Sequence, residues 1–103
     1  MRILLVEDDK GIARFVKKGL LENSFSVDVA SNGEEGLESA LYKGYDLIIL
    51  DILLPKMDGR EILRRLRERE IQTPVIFLCL SKVNMSPQMR HKNVPIDYFH
   101  NVG

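Results

Sequence analysis

Residues 47–59 read LIILDILLPKMDG. The first four residues are apolar, as expected of a strand that is buried on both faces of a sheet. Asp51 ends this run, and Pro55 and Gly59 then indicate a loop. The stretch therefore predicts a buried strand that delivers a carboxylate to the edge of a sheet.

Strand-like and helix-like patterns alternate around this stretch. Apolar runs of strand length occur at 3–6 and 75–78, and apolar and polar residues alternate over 25–29, as in a more exposed strand. Four strands that alternate with helices predict an α/β fold with right-handed crossovers and a parallel sheet covered on both faces. Helical spacing predicts these inward-facing residues: Ile12, Ala13, Val16, Leu20, Leu37, Ala40, Leu41, Ile62, Leu63 and Leu66.

Helix boundaries are also visible. Asp8 or Asp9 can cap the first helix, and Ser31 or Asn32 the second, because their side chains accept hydrogen bonds from the first turn. A break at Thr73 and Pro74 is expected to end the third helix. Its five arginines alternate with glutamates over 60–70, which favours a salt-bridged solvent face over a nucleic-acid surface.

The periodicity fails after Ser81, where Pro87 and Pro95 interrupt a polar stretch. A short last strand is possible over 96–99, and no closing helix follows it. Residues 1–103 are therefore predicted to form one domain without a final helix.

Composition narrows the classes of function. Fifteen basic and fifteen acidic residues give a formal net charge of zero, so no general attraction to nucleic acid or to an anionic membrane is expected. The single cysteine, Cys79, excludes an intramolecular disulfide. Every apolar run is shorter than the roughly 18 residues that a membrane span needs. We expect a cytoplasmic protein without membrane contact or direct binding to nucleic acid.

Carboxylates follow two of the predicted strands. Glu7 and Asp8 follow the first, and Asp51 ends the third. Ligands bind at the carboxyl ends of the strands in open parallel sheets, so these side chains are expected to meet there. Their mutual repulsion calls for a cation, and oxygen ligands suit Mg²⁺. An aspartate beside such an ion can attack a phosphoryl group and become an acyl phosphate. A lone strand-ending aspartate is more often a helix cap, so the prediction rests on all three residues.

Three segments resemble the receiver domains of two-component response regulators. They are Val6-Glu7-Asp8-Asp9, the stretch 47–59, and Thr73-Pro74-Val75-Ile76-Phe77-Leu78. These segments are most similar in sequence to those of receivers that carry a winged-helix DNA-binding domain and regulate transcription. The resemblance covers residues 1–80, whereas 81–103 form a divergent tail.

The resemblance implies a flavodoxin-like, doubly wound parallel sheet in the order 2-1-3-4(-5), lacking the last helix. It implies that Asp51 is the phosphoacceptor and that Mg²⁺ is the cofactor. By the same resemblance Asp8 is a direct metal ligand, Glu7 acts through water, and Leu53 contributes a backbone carbonyl. The loop that shapes the family's site is matched at Pro55 and Gly59.

Three positions bear on switching. The family has Thr or Ser where this chain has Cys79, and Lys where an ungapped comparison places Asn101. Tyr98 matches an aromatic residue that moves when the family switches. A thiol is a weak donor and an amide carries no charge, so the resemblance implies impaired switching.

Two functions follow as hypotheses. In the first, the chain accepts a phosphoryl group from a sensor histidine kinase in a phosphorelay, with at most weak self-catalysed phosphotransfer and no independent enzymatic turnover. In the second, it is a degenerate or truncated receiver that binds a partner whatever its phosphorylation. A missing last helix would leave apolar surface uncovered, which also predicts a possible homo-oligomer.

Overall fold

The computed structural model describes residues 1–52, 54, 57–78 and 99–101, with the backbone alone for the last range. In these ranges, strands and helices follow one another in an alternating order. They are β1 (Arg2–Val6), α1 (Lys10–Glu22), β2 (Ser26–Ala30), α2 (Gly33–Tyr42), β3 (Leu47–Asp51), α3 (Gly59–Glu68), β4 (Val75–Leu78) and β5 (Phe99–Asn101).

The strands form one sheet in the order β2-β1-β3-β4-β5. The first four are parallel, which confirms the predicted α/β class and the predicted order 2-1-3-4. Val6 lies beside Leu50, and Asp51 lies beside Leu78. The register therefore brings the carboxyl ends of β1, β3 and β4 to one edge of the sheet.

The fifth strand differs from the prediction in position and in direction. A strand was expected over 96–99 within a parallel sheet, but β5 comprises Phe99–Asn101 and runs antiparallel to β4. A parallel neighbour requires a crossover connection, usually helical, whereas an antiparallel one requires only that the chain turn back. The sequence of 81–98 lacks the helical periodicity expected of a crossover, which favours an antiparallel β5.

Both faces of the central strands are buried, because successive side chains point to opposite sides. Leu4 and Val6 pack on the face covered by α2 and α3, and Ile3 and Leu5 pack on the face covered by α1; all four are 0% exposed. The predicted inward helix positions are confirmed. Those buried are Ile12, Ala13, Val16, Leu37, Ala40, Ile62 and Leu66, and those partly buried are Leu20, Leu41 and Leu63.

The helices begin where short polar side chains accept a backbone N–H. Asp9 caps α1 by accepting from Ile12 N at 3.0 Å, and Asn32 caps α2 in the same way. Each cap is one of the two candidates that the sequence offered. Helix α3 ends at Glu68, before the predicted break at Thr73 and Pro74, because Glu70 adopts a left-handed φ of 61° that stops the helix.

The arginine-rich face of α3 is salt-bridged, as predicted. Glu61 accepts from Arg64 and from Arg65, the latter at 3.0 Å. The hydrogen bonds from Arg64 and then Arg65 lower the pKa of Glu61 to about 2. Within the described ranges, the structure contains no helix that combines the length and apolarity of a membrane span.

A polar cluster links β1, β2 and the segment that precedes β3. Tyr45 OH donates to Asp28 Oδ2 at 2.7 Å, and Arg2 Nη2 donates to the same oxygen at 3.0 Å. The Tyr45 hydrogen bond, followed by Arg2, lowers the pKa of Asp28. Burial, together with the bond to Asp28, raises the pKa of Tyr45 to about 12.

Titration of Tyr45 should make the fold sensitive to alkali. Its folded pKa lies above the ordinary value of 10.0, so its contribution to stability is present below pH 10 and is lost as the pH rises towards 12. Urea unfolding across this window should show a steeper loss of stability for the unchanged chain than for Tyr45→Phe. Tyr42→Phe is the matched control, because Tyr42 is 78% exposed and lies outside the cluster of Arg2, Asp28 and Tyr45. Identical slopes for all three proteins would contradict the assignment.

Candidate functional site

Three carboxylates meet where β1 and β3 end. Glu7 and Asp8 directly follow β1, and Asp51 is the last residue of β3. One oxygen from each side chain lies within 4.8 Å of the others. Glu7 is 2% exposed and Asp51 is 0% exposed, whereas Asp8 is accessible to solvent. The sequence predicted that these three residues would be adjacent, and the structure brings them together.

Backbone contacts fix the position of Glu7. Its N–H donates to the carbonyl of Ala30, at the end of β2, at 3.0 Å. Its side-chain oxygen Oε1 accepts from the backbone N–H of Asp9 at 3.1 Å. The sheet therefore holds the backbone of Glu7, and the N-cap residue of α1 holds its buried carboxylate.

The loop after Asp51 lies close to the site at both of its ends. Gly59 N donates to the carbonyl of Ile52 at 3.2 Å. A Cβ at position 59 would lie 2.7 Å from the carbonyl oxygen of Asp51, and one at Gly33 would lie 2.7 Å from the Cβ of Met57. Glycine at these two positions allows the loop to approach β3 and α2 closely.

The donor set fits a hard divalent cation. Carboxylate oxygens are the preferred ligands of Mg²⁺, which usually retains several waters and takes only a few protein oxygens. The accessible Asp8 beside the buried Glu7 and Asp51 satisfies both requirements, since it leaves one side of the cluster open to water. The cluster can therefore hold such an ion and present Asp51 to a phosphoryl group.

Most of the other predicted site residues lie outside the described ranges. Leu53, Cys79 and Tyr98 lie outside the described residues, as does Pro55. The backbone of Asn101 pairs with Ile76, two residues before the end of β4. Asn101 was expected to follow a parallel fifth strand at the site. Because β5 is antiparallel to β4, its backbone instead runs away from the carboxyl end of β4.

Two residues that shape the site were given no role in it by the sequence analysis. Asp9 was considered only as a possible helix cap, yet its N–H holds Glu7. Gly33 was not singled out, although it provides the room that Met57 occupies. The run of three acidic residues could have indicated a role for Asp9 at the site. No local sequence pattern predicts the close contact between Gly33 and Met57.

Fold and site together define a doubly wound α/β domain with an acidic centre at the carboxyl edge of its sheet. The family model for the response regulator receiver domain matches residues 3–96. The chain belongs to this family: it is a receiver domain of the kind found in two-component response regulators.

Curated relatives agree with this assignment. The transcriptional regulatory protein DltR of Streptococcus agalactiae is 49% identical over 78 residues, which are 76% of this chain and 35% of that protein. The transcriptional regulatory protein PcoR of Escherichia coli is 46% identical over 77 residues, 75% of this chain and 34% of that protein. The chain thus spans about a third of the length of the curated relatives it matches.

Solved structures share the architecture. The receiver domain of the Francisella response regulator 1452 superposes with a TM-score of 0.74 at 39% identity, covering 79% of this chain and 68% of that one. The response regulator TrrA of Thermotoga maritima, solved in complex with Mg(2+)-BeF, gives a TM-score of 0.75 at 31% identity, covering 93% and 90%. The resemblance to receiver domains noted in the sequence is confirmed.

Gly59→Ala should destabilise the domain and disturb Asp51. A new Cβ would meet the Asp51 carbonyl at 2.7 Å, and this backbone atom cannot rotate away. We expect a loss of about 1–3 kcal/mol from overpacking. The matched control is Gly19→Ala in α1, where a new Cβ meets nothing within 4 Å and should add about 1 kcal/mol. Urea unfolding measures both, and a stabilised Gly59→Ala would contradict the proposed close approach.

Proposed function

We propose that this chain is a phosphoacceptor in a phosphorelay, in which Asp51 accepts a phosphoryl group from a sensor histidine kinase. The observation that carries the proposal is the cluster of Glu7, Asp8 and Asp51 within 4.8 Å at the carboxyl edge of the sheet. An Asp51 oxygen would form the new bond to phosphorus while the bond from phosphorus to the kinase histidine breaks. The displaced imidazole nitrogen keeps the bonding electron pair.

The residues of the chain serve this transfer by position and charge. We infer that Asp8, Glu7 and Asp51 would hold Mg²⁺, as the donor set allows. When bound, the ion would offset the negative charge of the phosphoryl oxygens. Strand β3 lies between β1 and β4, and the backbone of Asp51 pairs with Leu78 of β4, so the nucleophilic carboxylate starts from a fixed place. Fixing a reacting group in this way is one of the main ways that proteins lower the barrier to phosphoryl transfer.

The wider role follows from the relatives by analogy. DltR and PcoR are named as transcriptional regulatory proteins and are about three times as long as the matched segment. We propose that this domain is the signal-receiving part of a cytoplasmic system that regulates transcription, without itself contacting nucleic acid.

Homo-oligomer formation stays a prediction from sequence. Ile49 and Leu78, on the sheet face that a last helix would cover, are buried within the single chain.

A second candidate is a receiver-like interaction module that does not depend on phosphorylation. The direction of β5 favours it, because Asn101 pairs with Ile76 and so lies away from the edge where Asp51 ends β3. The lysine expected from the family is therefore replaced here by an uncharged residue, and the backbone at this position lies away from the carboxylates.

Chemical phosphorylation separates the two candidates. Incubation with acetyl phosphate and Mg²⁺ should add the mass of one phosphoryl group, located on Asp51 by peptide mass spectrometry after borohydride reduction. Asp51→Asn should abolish the addition, and Asp8→Asn should reduce it by weakening Mg²⁺ binding. Asp58→Asn is the matched control, since Asn also caps helices and Asp58 caps α3 without being one of the three carboxylates of the cluster. A chain that takes up no phosphoryl group at any Mg²⁺ concentration would favour the interaction module.

We further propose that the response to phosphorylation is blunted. Loss of a charge-assisted hydrogen bond typically costs about 1.5–3 kcal/mol, and Cys79 and Asn101 replace the groups that would make such bonds. Beryllofluoride with Mg²⁺ should therefore cause only small NMR shift changes in the tail. Cys79→Thr should enlarge them, and adding Asn101→Lys should enlarge them little more, because position 101 lies beside Ile76. Full-sized changes in the unaltered chain would show that both groups are dispensable.

A further inference from the structure

Three consecutive acids follow β1, and only Glu7 and Asp8 belong to the carboxylate cluster. Asp9 faces the helix instead. Its Oδ1 accepts from Ile12 N at 3.0 Å, which makes it the N-cap of α1. The backbone of Asp9 is extended, with φ −79° and ψ 114°, as is usual for a capping residue. The third acid is therefore occupied with starting the helix.

The same residue reaches the site through its backbone. The N–H of Asp9 donates to Glu7 Oε1 at 3.1 Å, while the N–H of Glu7 donates to Ala30 at 3.0 Å. A side-chain cap fixes the capping residue relative to the helix, and so it also fixes the direction of that residue's N–H. Oε1 of Glu7 is thereby tied to the N-cap of α1.

We propose that Asp9 is a positioning residue for the acidic centre: by capping α1, it directs its own N–H at Glu7 and holds that carboxylate towards Asp8 and Asp51. The inference rests on the proposed Mg²⁺-dependent function. Glu7 is 2% exposed, so water has little access to orient its carboxylate in place of the Asp9 N–H. Groups that orient a metal-binding side chain typically change metal affinity by 10–100-fold when they are removed.

The chain allows the capping role to be separated from the charge of Asp9. Asp9→Ala removes the charge and the cap, whereas Asp9→Asn removes the same charge but keeps a capping side chain. The difference between the two variants therefore measures the cap alone. A third variant, Asn32→Ala, removes the cap of α2, which makes an equivalent bond to Glu35 N at 2.9 Å and does not bond to Glu7.

Isothermal titration of the full 103-residue chain with Mg²⁺ is the first measurement. Asp9→Ala should bind Mg²⁺ about tenfold more weakly than Asp9→Asn. Asn32→Ala should lose a comparable amount of thermal stability yet bind Mg²⁺ like the unchanged chain. The second measurement needs no metal: the amide at position 9 should exchange its hydrogen faster in Asp9→Ala than in Asp9→Asn.

The outcomes distinguish the inference from the function on which it rests. Equal Mg²⁺ affinity for Asp9→Ala and Asp9→Asn, in a chain that binds Mg²⁺, would overturn the positioning role and leave the proposed metal site intact. An equal loss of affinity in Asn32→Ala would also overturn it, because general destabilisation would then explain the effect. A chain that binds no Mg²⁺ would overturn both the metal site and the inference built on it.

Discussion

The pairing of β1 with β3 is the constraint on which the rest of the molecule depends. Residues 3–6 of β1 are 0% exposed, and burial of each such side chain contributes about 1.5–3 kcal/mol. The parallel register that buries them also places Glu7 and Asp8 beside the end of β3, where Asp51 stands. The core and the acidic centre are thus two consequences of one pairing.

This arrangement brings like charges together. Two ionised carboxylates with oxygens within 4.8 Å of one another repel by roughly 3–4 kcal/mol or more at an effective dielectric constant of about 20. The repulsion between each pair is comparable to the gain from burying one strand residue, so the hydrophobic core can hold the cluster but a cation would relieve it. This balance explains why the acidic centre lies at the carboxyl ends of the best-buried strands. It also explains why a divalent ion is the expected ligand.

The edges of the sheet are less constrained than its centre. β2 is half exposed, and its Asp28 is tied to Arg2 of β1 and to Tyr45, which precedes β3. At the other edge, β5 pairs with β4 in the opposite direction, through three residues in the part of the chain that the structure describes. The departure from the expected receiver pattern in the described residues is the direction of β5, whereas the central strands β1, β3 and β4 keep that pattern.

The sequence by itself determined the α/β class, the first four strands, the inward faces of the helices and the three acids of the centre. These features follow from local periodicity and from residue types at strand ends, and both are readable without coordinates. Only the tertiary structure decided that Asp9 rather than Asp8 caps α1 and orients Glu7, that Gly33 and Gly59 are needed for close approach, and that β5 is antiparallel. Each of these depends on contacts between segments distant in sequence or on the exact path of the backbone, and no local pattern of side chains encodes that path.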